Sequence, residues 1–200
     1  VRRCAQESVE KVFKSMKSST VTKEASKLVL SELKSCSALA LKLNALSTSD
    51  ECKEDKVLKH EHLEVLHLLN LINLIAPYLS TKVILKVLSE VHKLFSFKFS
   101  ELARHALITI EAIFEALRIQ NIVLETEDIV VSLASFVSLG DRNPLDTVIF
   151  AAKLLGVAMD LLYNGQSSLW IKNLPPFCRS VMGMYGSSSS INCRNHLIHS

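Results

Sequence analysis

Glycine and proline are scarce in this 200-residue chain, at five and four residues, and aromatic side chains make up only 6% of it. So few glycines leave little material for the tight turns that cradle phosphates. Neither a Gly-x-Gly-x-x-Gly fingerprint, a Gly-Lys-Ser/Thr loop nor a Gly-x-Ser-x-Gly elbow occurs. Nucleotide hydrolysis and serine hydrolysis lose their usual supports. The five cysteines, Cys4, Cys36, Cys52, Cys178 and Cys193, are odd in number and form no Cys-x-x-Cys pair. They read as reduced thiols that pack as small residues, rather than as a disulfide framework or a zinc knot. Long apolar runs are missing as well. Leu63 to Leu79 is broken by Glu64, His67, Asn70, Asn73 and Pro77, and Val148 to Tyr163 contains Lys153 and Asp160. Neither supplies the roughly 20 apolar residues of a membrane span, so both read as buried helices and no membrane partner is expected.

What the chain has in quantity is hydrophobic residues, 48% of the total, recurring at helical spacing almost throughout. With so little glycine, proline and aromatic content, that pattern indicates an all-α fold. Breakers divide it into about eight helices. The first covers about residues 2–17, with Ala5, Val9, Val12, Phe13 and Met16 on one stripe. The second opens at Thr22 and runs to about Ala45, with Leu28, Leu33, Leu39, Leu41 and Leu43 as its expected core residues. Residues 47–60 are densely charged and lack apolar periodicity, which predicts a solvated insertion. A third helix over about 61–77 ends near Pro77. Ser80 is placed to cap a fourth, about 81–95, with Val83, Ile84, Val87, Leu88, Val91 and Leu94 inward, and Ser100 to cap a fifth, about 101–118. The sixth, about 126–138, stops before Gly140. The seventh, about 144–163, opens on Asn143-Pro144 and closes at Asn164-Gly165. An eighth, near Ser167 or Ser168, is interrupted by Pro175-Pro176, and Trp170 at its start reads as a packing residue. Residues 186–200 read as a Ser-rich loop or tail after a repeat segment over 1–185. The chain has no initiator Met and reads as a piece of a longer protein.

One helix is written twice. Arg3-Cys4-Ala5-Gln6-Glu7-Ser8-Val9-Glu10-Lys11-Val12-Phe13 falls on Arg104-His105-Ala106-Leu107-Ile108-Thr109-Ile110-Glu111-Ala112-Ile113-Phe114. The shared pattern is R-x-A-x-x-[ST]-[VI]-E-x-[VI]-F. A small Ala admits a close neighbouring helix, and the β-branched and Phe positions at three- and four-residue steps form a stripe expected to be buried. With helices one, three, five and seven as inner helices, the spacing from the third to the fifth and from the fifth to the seventh is about 40 residues, the period of HEAT and armadillo repeats. The expected fold is therefore an all-α, HEAT- or armadillo-like helical-repeat solenoid.

Candidate chemistry is sparse. His60, His62 and His67 cluster around Glu61 and Glu64, but not as His-Glu-x-x-His, so exposed, capping or rim histidines are expected rather than zinc ligands. Glu125, Glu127 and Asp128 meet the positive end of a helix dipole. No catalytic, metal or cofactor residue is expected, and no small-molecule substrate. The net charge of +3 is unevenly spread, with 12 Lys/Arg against 8 Asp/Glu in residues 1–60. Lys11, Lys14 and Lys17 of the first helix, with Lys23, Lys27 and Lys34 of the second, read as an ordinary solvated face or as a weakly basic surface for RNA phosphate or an acidic protein. Phe13 belongs to the inward stripe, so no Tyr, Trp or Phe is placed among these lysines to stack bases.

The first helix carries a more specific likeness. Val1-Arg2-Arg3-Cys4-Ala5-Gln6-Glu7-Ser8-Val9-Glu10-Lys11-Val12-Phe13-Lys14 resembles the V-R-x-x-A-Q-x-x-V-x-x-V-[LF]-K signature of the ribosomal RNA-processing protein 12 family of HEAT-repeat proteins. The segment Val65 to Leu79 and the helix pair after it are also similar. The likeness covers about residues 1–118, and beyond it only the repeat register continues. It implies a nuclear and nucleolar scaffold without catalytic residues, acting in ribosomal RNA processing and in small-subunit precursor maturation and export, with pre-ribosomal proteins and ribosomal RNA as partners. A karyopherin-like transport adaptor gripping a small GTPase or cargo peptide is the alternative.

Overall fold

A computed structural model describes residues 2–16, 19–46, 60–96, 100–124, 127–138 and 143–163. Among these residues there are seven α-helices, two short 3₁₀ segments and no strand. The helices are α1 (Arg2–Ser15), α2 (Thr20–Leu46), α3 (His60–Ile75), α4 (Thr81–Val91), α5 (Ser100–Ile119), α6 (Asp128–Ser138) and α7 (Leu145–Tyr163). The 3₁₀ segments Ala76–Tyr78 and His92–Ser96 follow α3 and α4. Pro77 accounts for the first: it lacks the N–H that another α-helical turn would use. The charged stretch 47–59, Gly140, the whole of 164–200 with Trp170 and the expected eighth helix lie outside the described residues.

The chain divides into two compact units, Val1–Ala116 and Leu117–Ser200. In the first, α1 packs on α3, α2 packs on α4, and α2 also packs on α3. Alternate helices thus lie side by side, odd with odd and even with even. This is the layering that a stack of helix pairs produces when each pair is too apolar to stand alone. In the second unit α6 packs on α7, and the amide of Leu124 donates to the carbonyl of Leu161 at 3.1 Å.

Helix ends follow local chemistry. Ser19, not Thr22, caps α2: its hydroxyl accepts the Thr22 amide at 3.2 Å and its carbonyl accepts the Lys23 amide at 3.1 Å. Thr22 is instead buried in the first turn, its hydroxyl donating to the carbonyls of Met16 and Ser19. Ser80 holds the extended N-cap backbone of α4, where its carbonyl accepts the amides of Val83 and Ile84, yet its hydroxyl makes no capping bond. Ser100 lies inside α5 rather than ahead of it. Pro144 precedes α7 and accepts the amides of Thr147 and Val148, one position earlier than a first-turn proline. Asp128 falls in the first turn of α6, where a carboxylate meets the dipole favourably. α5 ends in a Schellman motif: Asn121 adopts φ 52°, its amide donates to Arg118, and the Ile122 amide donates to Leu117. Asn tolerates the left-handed conformation that most side chains avoid.

The written duplication is also a structural one. Ser8 of α1 donates its hydroxyl to the carbonyl of Cys4 at 2.8 Å, and its counterpart Thr109 of α5 donates to His105 at 2.9 Å. Phe13 and Phe114 are each 1% exposed. Burial then diverges. Ala106, Ile110 and Ile113 are fully buried, whereas Ala5 is exposed, Val9 half-buried and Val12 43% exposed. Met16, also expected inward, is 42% exposed. The stripe expected to be buried on α1 is therefore fully inward only at Phe13, whereas the matching stripe of α5 is buried at Ala106, Ile110, Ile113 and Phe114 alike.

The expected core of α2 needs a similar correction. Leu33 is buried, but Leu28 is 70% exposed and Leu39 50% exposed, while Leu41 is only half-buried. At about 100° per residue, Leu28 lies about 140° around the helix from Leu33. The inward stripe is Thr22, Ser26, Leu30, Leu33, Ser37 and Ala40, spaced by three and four. Small hydroxyl residues fit here because they admit a close neighbour, and Ser26 satisfies itself by donating to Thr22 at 2.6 Å. α4 matches expectation more closely, with Ile84, Val87, Leu88 and Val91 buried, Leu94 buried beyond its end, and only Val83 partly open.

Two stability predictions follow from this geometry. Ile113→Ala is expected to cost about 2–5 kcal/mol as a cavity in a packed interior, and the equivalent Val12→Ala under about 0.5 kcal/mol. Equal losses in urea midpoint would contradict the difference in cover. Ser19→Ala is expected to cost about 1 kcal/mol as a lost cap, and Ser80→Ala measurably less in the same titration.

Candidate basic interaction surface

Lys11 and Lys14 stand exposed on α1, and Lys23, Lys27 and Lys34 stand exposed on α2. Lys17 lies outside the described residues. On α2 the three lysines fall within an arc of about 40°, flanking the inward stripe. Lys27 pairs with Glu24 at 2.6 Å, both ends well exposed. No carboxylate among the described residues pairs with Lys11, Lys14 or Lys23.

Because α2 packs on α4, residues distant in sequence join this set. Lys34 of α2 approaches Glu90 of α4 at 4.0 Å, and Lys93, just past α4, approaches the other oxygen of Glu90 at 2.9 Å. The Glu90 side chain is only 15% exposed. A carboxylate set into the joint between two helices thus serves two lysines and leaves a net positive charge. Lys82 and Lys86, one turn apart on α4, are exposed, opposite the buried face of Ile84, Val87, Leu88 and Val91. Lys82, Lys86 and Lys93 are absent from the lysine set drawn from the sequence. No charge run marks them; the packing of α2 on α4 sets their helix beside that of Lys34, and Lys93 shares Glu90 with it.

The histidines do not form a centre. His60 faces Glu64 at 3.7 Å on the surface, while His62 is 1% exposed inside the first turn of α3, in place of the expected surface position. At half-buried His67 it is the backbone carbonyl that is used: Gln6 of α1 donates its side-chain amide to it at 3.0 Å. That bond ties α1 to α3. Among the described residues no group of three His, Cys, Asp or Glu side chains comes together to hold a metal ion.

Cys4 and Cys36 are free thiols. Burial pushes the Cys36 thiol up, and the negative charge of Glu32, whose carboxylate also accepts the thiol's hydrogen bond at 3.7 Å, and of Glu64 across from α3 push it further the same way. No helix of the described residues is long and apolar enough to cross a membrane.

Comparison with known families bears on the same stretch. The family described as RRP12-like, N-terminal HEAT repeats matches residues 1–121. The chain belongs to this family. The matched stretch ends at Asn121, the left-handed residue that terminates α5, and contains both the duplicated helix and the paired layers of α1 to α4. It is a family of ribosome-biogenesis-related repeat proteins built on a fold that is generally a scaffold rather than an enzyme. No curated protein and no solved structure matches the chain.

The Cys36 environment is open to a direct test. The neutral thiol is favoured, so the reactive thiolate is depleted. At pH 8, iodoacetamide is expected to modify Cys36 more slowly than exposed Cys4, read peptide by peptide by mass spectrometry, and Glu32→Gln is expected to speed Cys36 alone. Equal rates at the two cysteines in the parent chain would refute the assignment.

Proposed function

We propose that this chain is part of a non-enzymatic scaffold of ribosome biogenesis, acting in pre-ribosomal RNA processing and in maturation and export of the small-subunit precursor. The observation that carries this reading is the family match over residues 1–121. It is supported by the layered helix pairs of the same stretch, in which α1 lies beside α3 and α2 beside α4. Such stacking turns each helix into a rail of a surface, and its exposed side chains, not a pocket, do the work. Nuclear and nucleolar residence, with pre-ribosomal proteins and ribosomal RNA as partners, belongs to this proposal.

The test is recovery of the intact protein from nuclear extract, with the co-purifying RNA probed for small-subunit precursor. Enrichment of that precursor is the expected result. Recovery with a small GTPase in a nucleotide-dependent manner, and without precursor RNA, would overturn the proposal in favour of a transport adaptor.

A further inference from the structure

The even-numbered helices carry a surface whose composition is unusual for a protein contact. α2, α4 and the 3₁₀ segment after α4 hold seven lysines, three glutamates and no arginine. On the lysine side of α2 the other exposed residues are Thr20, Ser31 and Ala38, with Glu24 at its edge paired to Lys27, and next to Lys86 on α4 it is Ser89. The large exposed apolar side chains of α2, Val21, Leu28 and Leu39, lie about 100° or more farther round the helix. Protein interfaces are enriched in aromatic residues, Met and Arg at their centres and depleted in Lys, Ser and Ala. This surface has the depleted set and lacks the enriched one.

Lysine is a compact point charge that neutralises phosphate without needing the forked geometry arginine uses for carboxylates. Rows of lysines on two adjacent rails, joined at Glu90, suit a polyanion that gains affinity by releasing counterions. Neither α2 nor α4 contains an aromatic side chain on which a base could stack.

We propose that α2 and α4 together form a sequence-independent binding face for the phosphate backbone of RNA, made by Lys23, Lys27, Lys34, Lys82, Lys86 and Lys93. This rests on the ribosome-biogenesis reading for the choice of RNA as the polyanion. It moves the basic surface away from Lys11 and Lys14, which belong to the other layer, where α1 packs beside α3.

Fluorescence anisotropy of a labelled 20-nucleotide single-stranded RNA, titrated with the 200-residue chain over a salt series, tests the face. Lys23, Lys82 and Lys86 make no ion pair with any described residue, so their replacement leaves the Glu90 joint intact. In K23Q/K82Q/K86Q the slope of log affinity against log salt is expected to shrink by about 2, at roughly 0.7 per phosphate contact, with at least about a tenfold loss of affinity at physiological salt. K23R/K82R/K86R is expected to keep the slope, K11Q/K14Q to leave it unchanged, and uridine-only and mixed-sequence RNAs to bind alike. An unchanged slope in K23Q/K82Q/K86Q, or loss in K11Q/K14Q instead, overturns the proposal. So does binding of a poly-glutamate peptide with none of RNA, which would make the face an acidic-protein site. Loss of RNA binding by K23Q/K82Q/K86Q while the intact variant still recovers precursor through its protein partners would leave the scaffold reading standing, so the two fail separately.

Discussion

The packing of α3 against both α1 and α2 is the constraint on which the first unit depends. Val65, Leu69, Ile72 and Ile75 of α3 are fully buried, at spacings of four, three and three, and Leu66 is nearly so. Each such side chain is worth about 1.5–3 kcal/mol when removed from water. A helix of this composition has no stable isolated existence and forms with its neighbours or not at all. Its flanks are held by complementary devices: Gln6 reaches the backbone of His67 from α1, and the small inward residues of α2 allow close approach from the other side. Once α1 and α2 are set against α3, the pairing of α2 with α4 follows, and with it the joint at Glu90.

That joint shows how a repeat architecture makes a surface without making a site. Each lysine is positioned by the phase of a helix whose opposite face is buried. The result is a set of charges spread over two rails with one partly buried carboxylate between them. The same principle explains the outward Leu28 and Leu39: a helix with two non-polar faces can satisfy only the one its neighbours reach.

The duplicated helix is where sequence and structure diverge most informatively. Like residue types at identical spacing produce the same hydroxyl-to-carbonyl bond and the same buried Phe in α1 and α5, because those features depend on helix geometry and on one packed face. They do not produce the same burial at Val12 and Ile113, because burial depends on what packs against the stretch and not on its own residues. Leucine identity misled in α2 for a related reason. Hydropathy ranks Leu28 and Leu39 above Ser26 and Ser37, yet phase around the helix outranks hydropathy in deciding which face meets α3 and α4.

Helix content, most helix positions, the repeat period and the family were all legible from the amino-acid order, since periodicity and breakers are local properties and the signature lies within one helix. The exposure of individual stripe residues, the burial of His62, the cap at Ser19 and the meeting of Lys34 with Glu90 and Lys93 were not. Each depends on which helix lies against which face, and that choice is made between segments tens of residues apart. The sequence by itself therefore determined that the chain would be a stack of amphipathic helices with scattered lysines. Only the tertiary packing of α2 on α4 decided which of those lysines share one surface, because side chains on different helices become neighbours through the burial of the faces opposite them.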